Sequence, residues 1–209
     1  MKIITPSAHV LDDIDADDIL RRIERAGRLC YKSEGRVGEG TAPKFVASLI
    51  RRGHESVIEH EKLSVLLICD RGVSHEIVRH RLASYSQEST RYCNYAGDAF
   101  GGDISFIKPC FWNEGDAAYE LWKDAMQASE RAYFAMIDGG AKPEQARAVL
   151  PNSLKTELVA TMNMRAWRHF LKQRTDAASH PQMRELAQMI LSEFRSRIPV
   201  LFDDIDPPI

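Results

Sequence analysis

Residues 79–92, RHRLASYSQESTRY, place three arginines, a histidine, three serines, a threonine and two tyrosines in fourteen positions. A guanidinium is permanently charged, and its planar fork matches a phosphate or a paired carbonyl edge. The hydroxyls of Ser84, Ser86 and Ser89 add donors, and backbone N–H groups in such a segment can form an anion nest. On a helix, successive side chains diverge by about 100°, so Arg79, His80 and Arg81 would face different partners, as around a cofactor wrapped on a helix end. The same composition also reads as a solvated helix end followed by a polar loop. Two other places carry similar groups. ARAVLP sets Arg147 on the apolar side of a short helix, and NMRAWRHFLKQRTD carries Arg165, His169 and Arg174. Arg165 and His169 are four apart and share a helical face. Each of these also reads as surface charge, yet three separated arginine clusters point to a polyanionic small ligand.

The rest of the chain narrows the classes. It has 209 residues with 28 basic and 30 acidic side chains, a net charge of -2, so bulk charge favours neither nucleic acid nor membrane as partner. HEIVRH resembles a zinc-protease helix, but His75 and His80 are five apart, about 140° around a helix, so no metal is expected. His54 and His60 lack a third ligand in sequence, and neither a GxSxG elbow, a P-loop nor GxGxxG is present. Cys30, Cys69, Cys93 and Cys110 have no CxxC spacing and read as free thiols in a reducing compartment. MKIITPSAHVL lacks the basic head and apolar run of a signal peptide, and no apolar run approaches a membrane span, so a cytoplasmic location is expected.

The elements that must position these residues follow from periodicity and punctuation. Residues 2–5 read as a strand and 15–30 as a helix, with aspartates at its start and arginines beyond, as the helix dipole prefers. Residues 33–42 read as a loop, Pro43 as the first residue of a helix through Ile50, and Gly53 as its stop. KLSVLLICD reads as a central strand, apolar on both faces. A helix is expected from Val73 to Leu82, a loop over 93–103, and a brief strand in ISFIK. Residues 116–138 read as a long helix with Leu121, Trp122, Ala125, Ala132, Tyr133 and Met136 inward, closed by Gly139-Gly140. Pro143 opens a helix that stops before Pro151, TELVATMN reads as a strand, and MRAWRHFLKQR as a helix with Met164, Trp167, Phe170 and Leu171 inward. Ser179 to Gln182 resemble a capping box, opening a helix with the stripe Met183, Leu186, Ala187, Ile190, Leu191 and Phe194. The tail DDIDPPI reads as frayed. The class is α/β (α+β), helix-rich, with a small central, mostly antiparallel sheet, in a single domain over 1–209.

RHRLASYSQESTRY resembles the signature of the flavin-dependent thymidylate synthases, Arg-His-Arg, seven residues, then Ser: here Arg79, His80, Arg81 and Ser89, followed by Arg91-Tyr92. RGHESVIEH before it, and ARAVLP, MNMRAWRHFLKQRTDAASH and the last amphipathic helix after it, come in family order and extend the resemblance over most of the chain. The resemblance implies conversion of dUMP to dTMP, with 5,10-methylenetetrahydrofolate as one-carbon donor and FAD, reduced by NADPH, as hydride carrier. It implies a cytoplasmic homotetramer whose active sites are shared between subunits.

Carried over by position, Ser56, Arg79, His80, Arg81, Asn163, Arg165 and His169 would hold FAD, and Gln87 would reach the flavin or sit between the two ligands. Glu76, Arg79, Gln87, Glu88, Ser89, Thr90 and Arg91 would surround dUMP, with Arg147 reaching it from a neighbouring subunit. Arg174 would meet the uracil carbonyl edge as the catalytic cation, where fixed positive charge eases ionisation at N3 and makes C5 the better nucleophile. Ser89 is given a binding role, and His54 and Tyr92 are placed near the folate. Glu76 stands where many members have glutamine and His169 where asparagine is common. A non-enzymatic nucleotide- or RNA-binding module is the competing reading. It predicts no flavin and steep salt dependence.

Overall fold

The computed structural model describes residues 1–97 and 102–205. The elements are β1 (Lys2–Ile4), β2 (Ser7–Val10), α1 (Ala16–Cys30), α2 (Thr41–Arg51), β3 (Lys62–Asp70), α3 (Arg71–Ile77), β4 (Ala83–Gln87), β5 (Ser105–Ile107), α4 (Ala117–Asp138), α5 (Pro143–Ala146), β6 (Lys155–Asn163), α6 (Met164–Arg174), α7 (Pro181–Arg197) and α8 (Pro199–Phe202). The strands form a four-stranded sheet of order β2-β3-β6-β4 and a two-stranded parallel pair of β1 with β5. β3 and β6 run antiparallel: the Met164 amide donates to Glu61 at 2.9 Å, and three residues inward on each strand Thr161 Oγ1 donates to Ser64 Oγ at 2.9 Å. The expected class, helices with a small and mostly antiparallel sheet, is the one observed.

The described chain divides into two compact units. One comprises Met1–Ser7, Leu67–Arg79 and Ser86–Leu158; the other comprises Ala8–Leu66, His80–Tyr85 and Val159–Ile209. The first is built on an aromatic core. Tyr95, Phe106, Tyr119, Trp122, Met126, Tyr133 and Leu154 are buried together, and the Tyr95 and Tyr133 rings meet edge-on at 5.6 Å. Aromatic edges are slightly positive and faces negative, which favours this geometry. Leu121 and Ala125 were expected inward on α4 but are exposed. Tyr119 and Met126 take the buried stripe instead, so the face is set by Tyr119, Trp122, Met126 and Tyr133.

The second unit packs α1 on α2 and α6 on α7 and α8. α1 starts where Asp15 accepts from the Asp18 amide at 2.9 Å, which satisfies a helix-end donor. Gly27 is where α1 approaches α2: a Cβ there would lie 2.6 Å from the Phe45 ring. α2 begins at Thr41, two residues before the expected Pro43, because Gly40 supplies the left-handed turn that enters it. It ends as expected at Gly53, whose φ of +70 lets His54 N reach Leu49 O. All four inward residues expected on α6 are buried, as is the whole α7 stripe. Trp167 stands edge-on to Phe194 at 5.4 Å, and its Nε1 donates to Leu63 O.

Several expectations are corrected. α3 starts at Arg71, capped by Asp70, and stops at Ile77 instead of Leu82. The reason is that no buried stripe extends it: Val78 is 38% and Leu82 82% exposed. Residues 83–87, expected within a polar loop, form β4, and Ser7–Val10 form a strand not foreseen. β3 alternates between buried and half-buried positions where two buried faces were expected. The capping box before α7 is absent. His180 is its N-cap with no side-chain cap bond, and Ser179 Oγ donates to Gln173 O instead. The tail is not frayed through residue 205, since Ile205 is buried and Asp204 is ion-paired. Residues 206–209 of that tail and 98–101 of the expected glycine-bearing loop lie outside the described residues.

Candidate active site

In the first unit the expected nucleotide-binding residues gather at the end of β4. Gln87 is half-buried, and its Nε2 donates to Ser74 Oγ at 3.0 Å and Thr156 Oγ1 at 3.1 Å, which directs its carbonyl oxygen away from them. Glu88 accepts from Tyr95 OH and from Lys155 Nζ, both at 3.0 Å. Ser89 closes the next turn: its carbonyl receives the amides of Tyr92 and Cys93 at 3.0 Å. Thr90 is buried, and its Oγ1 lies 3.3 Å from Arg147 Nη1. Arg147, expected to act on a neighbouring subunit's ligand, thus touches the turn of its own chain. Arg91 is exposed, 3.8 Å from Glu144 and 5.4 Å over the Tyr92 ring. Glu76 is half-buried on α3, and Arg79 follows the helix end, its amide donating to Glu76 O at 3.3 Å.

In the second unit the cofactor-binding candidates gather on α6 and the segment before β4. His80 is not on a helix, as the early stop of α3 leaves it in a turn. Its Nε2 accepts from Arg174 Nε at 2.9 Å, so its proton resides on Nδ1. Its ring lies edge-on to Phe170 at 4.8 Å and 6.1 Å from His169, while its carbonyl accepts from Tyr85 OH at 2.7 Å. Burial first, then the Arg174 charge and His169, lower the His80 pKa from 6.5 to about 4. His80 is therefore neutral near pH 7. Burial likewise pushes the Tyr85 phenol up to about 12, keeping it a donor.

The other members of this set differ in availability. Asn163 caps α6, accepting from the Ala166 amide at 2.8 Å. Arg165 is exposed and paired with Glu59 at 2.6 Å. His169, Arg81 and Ser56 are exposed, Ser56 on the short 3₁₀ run Glu55–His60. Among the described residues, neither Arg79 nor Arg81 takes part in an ion pair. His54 Nδ1 is 2.9 Å from Tyr31 OH, and Tyr92 is 78% exposed. Fixed guanidinium charge at Arg81 and Arg165, a free-standing hydroxyl at Ser56 and neutral imidazole at His80 form a donor set that fits a pyrophosphate joined to a flat ring. No group of three or more His, Cys, Asp or Glu among the described residues is arranged to hold a metal, and all four cysteines are free.

Some residues here were beyond sequence reasoning. Ser74 and Thr156 anchor Gln87, and Tyr95 and Lys155 hold Glu88, yet their separations in sequence run from 7 to 69 residues. Ser74 comes from α3, Tyr95 from the segment after the turn and Lys155 and Thr156 from β6, and no local pattern announces their meeting. Arg168, which the sequence pattern does not single out, is 1% exposed on α6 and bonded to Asp204, Glu55 and Leu201 O.

Residues 12–200 match the family model described as thymidylate synthase complementing protein. The chain is 34% identical over 189 residues to the flavin-dependent thymidylate synthase of Geobacter sulfurreducens, covering 87% of this chain and 80% of that one. It is 33% identical over 184 residues to that of Pyrococcus furiosus, covering 88% and 72%. Its fold superposes with a TM-score of 0.80, at 25% identity and over the full length of both chains, on the UMP/dUMP methylase PolB of Streptomyces cacaoi bound with 5-Br dUMP. The Arg-His-Arg and Ser signature, the helical and strand order and these matches agree: the chain belongs to the flavin-dependent thymidylate synthase family.

Proposed function

We propose that the protein methylates dUMP to dTMP in the cytoplasm, as a homotetramer whose 209 residues, both compact units included, work as one domain. The observation that carries this reading is the Arg174–His80 pair, which joins the signature to α6 through a 2.9 Å hydrogen bond. Burial first, and the Arg174 charge second, keep His80 neutral, and the pair sets a permanent cation beside it. In the reaction the C5–H bond of dUMP is replaced by a bond to the one-carbon unit of methylenetetrahydrofolate. The C5 proton is lost to solvent, tetrahydrofolate leaves, and a hydride completes the methyl group. Bound FAD, recharged by NADPH, supplies that hydride.

The chain's own residues bind and orient. Arg174 lies against the uracil carbonyl edge, where its charge stabilises negative charge on the base and strengthens C5 as nucleophile. Ser89, Thr90, Arg91 and Arg147 receive the phosphate, with Glu76, Arg79, Gln87 and Glu88 around the sugar and base. Ser56, Arg79, His80, Arg81, Asn163, Arg165 and His169 would hold FAD, with the exposed Arg165 free to exchange its Glu59 partner for the ligand. Ser89 binds and does not attack, since no base stands beside its hydroxyl among the described contacts. The test is anaerobic incubation of the purified protein with FAD, NADPH, methylenetetrahydrofolate and dUMP. dTMP is expected only when all four are present; no dTMP with all four, by a protein that retains FAD, overturns the reading.

A further inference from the structure

Glu88 poses an electrostatic problem. It sits between Gln87 and the Ser89-Thr90-Arg91 turn, where the proposed function places a nucleotide phosphate. A free carboxylate there repels a phosphate dianion. Both of its oxygens are engaged within the protein. Oε1 accepts from Tyr95 OH and Oε2 from Lys155 Nζ, each at 3.0 Å, and the Glu88 amide donates to Glu157 O at 2.9 Å. The side chains of Glu88 and Lys155 are 11% and 17% exposed, and Lys155 Nζ also lies 2.5 Å from Glu157. Tyr95 is itself fixed: it is 4% exposed, its ring packs on Tyr133, and its amide donates to Tyr133 OH at 3.4 Å. Burial and the Glu88 charge push its phenol well above the ordinary range, so it remains a donor. The hydrogen bonds to Glu157 and Glu88 outweigh burial and hold the Lys155 pKa up, so it remains charged.

We propose that Lys155 and Tyr95 are positioning residues for nucleotide binding: acting through Glu88, they fix the 87–91 turn and screen its carboxylate from the incoming phosphate. This rests on the dUMP reading of that turn. Glu88 is then a post that holds the turn, its carboxylate kept on Tyr95 and Lys155 and away from the phosphate. Lys155→Met leaves Glu88 and Glu157 with no cation between them, and Tyr95→Phe releases one Glu88 oxygen.

The test measures equilibrium binding of dUMP and of deoxyuridine, which has no phosphate, to the FAD-loaded full-length protein. Lys155→Met is expected to weaken dUMP about tenfold, the scale of an unpaired charge beside an anion. Tyr95→Phe, losing one hydrogen bond to a charged group, is expected to weaken it about threefold. Deoxyuridine binding is expected to change little in either, and Glu88→Gln added to Lys155→Met is expected to restore most of the dUMP affinity. If Lys155→Met does not fold, Tyr95→Phe and its pairing with Glu88→Gln give the same readout. Unchanged dUMP binding in the single variants, or an equal loss for dUMP and deoxyuridine, overturns the proposal while leaving the dUMP reading intact. A wild-type protein that does not bind dUMP overturns both.

Discussion

The turn after β4 and the outer face of α6 carry polar residues in opposite states. At residues 87–90 the side chains are tied to the protein: Gln87 to Ser74 and Thr156, Glu88 to Tyr95 and Lys155, Thr90 to Arg147. On α6, Arg165 and His169 are exposed, and Arg174 is half-buried against His80. The first region is rigid before any ligand arrives, because its polar groups already satisfy one another. The second keeps charge near the surface, where it can exchange partners at small cost. α6 itself repeats the contrast within one turn. Arg168 is buried with Asp204, Glu55 and the Leu201 carbonyl, three residues from outward Arg165. A buried cation so bonded serves the fold, and an exposed one is available to a ligand.

Substitutions on and around α6, and one at Arg79, break or sharpen this comparison. The largest effect is expected from Arg174→Ala: turnover falls about 100-fold or more, the scale for removing one charge-stabilising donor. Flavin content and unfolding temperature should hold, measured by absorbance and calorimetry. Wild-type turnover in that variant would contradict its role. Arg168→Met should do the reverse, lowering stability by about 3 kcal/mol because Asp204 and Glu55 lose a buried partner. Denaturant unfolding measures this, and a folded Arg168→Met with much-reduced turnover would blur the line drawn between the two arginines. Arg79→Ala should weaken both FAD and dUMP by about tenfold, since its guanidinium is placed with both ligands; unchanged titrations of both would show the motif to be misplaced. Asn163→Ala removes the α6 cap and should cost about 1 kcal/mol.

The smallest effect is a titration. The folded His80 pKa, about 4, lies below its unfolded value of 6.5. The unfolded chain therefore binds the proton first as pH falls. The stability tied to neutral His80 is present above about pH 6.5 and is lost as pH falls through about 4. Proton NMR of the imidazole measures this directly. Arg174→Ala should raise the His80 pKa only part of the way to 6.5, because burial is the larger cause.

Legibility in the sequence followed the contrast between local and distant partners. The stripes of α6 and α7 were readable because a 3.6-residue period is written in consecutive residues. The Arg-His-Arg and Ser spacing was readable for the same reason. β4 was hidden because ASYSQ is polar, and it becomes a strand only by pairing beside β6. The buried role of Arg168 was hidden because its carboxylate partner, Asp204, comes 36 residues later in a tail that reads as frayed. Leu121 misled in the other direction: an apolar residue beside Trp122 is not thereby inward, and a leucine alone on a surface is ordinary.

The central claim is that this basic constellation activates C5 of a pyrimidine nucleotide for methylation. It is tested most directly with dUMP tritiated at C5, given to the FAD-loaded protein with NADPH and methylenetetrahydrofolate. The account predicts that tritium enters water in step with dTMP and that both are lost in Arg174→Ala. Tritium retained in the nucleotide, or released at an undiminished rate by Arg174→Ala, would contradict it.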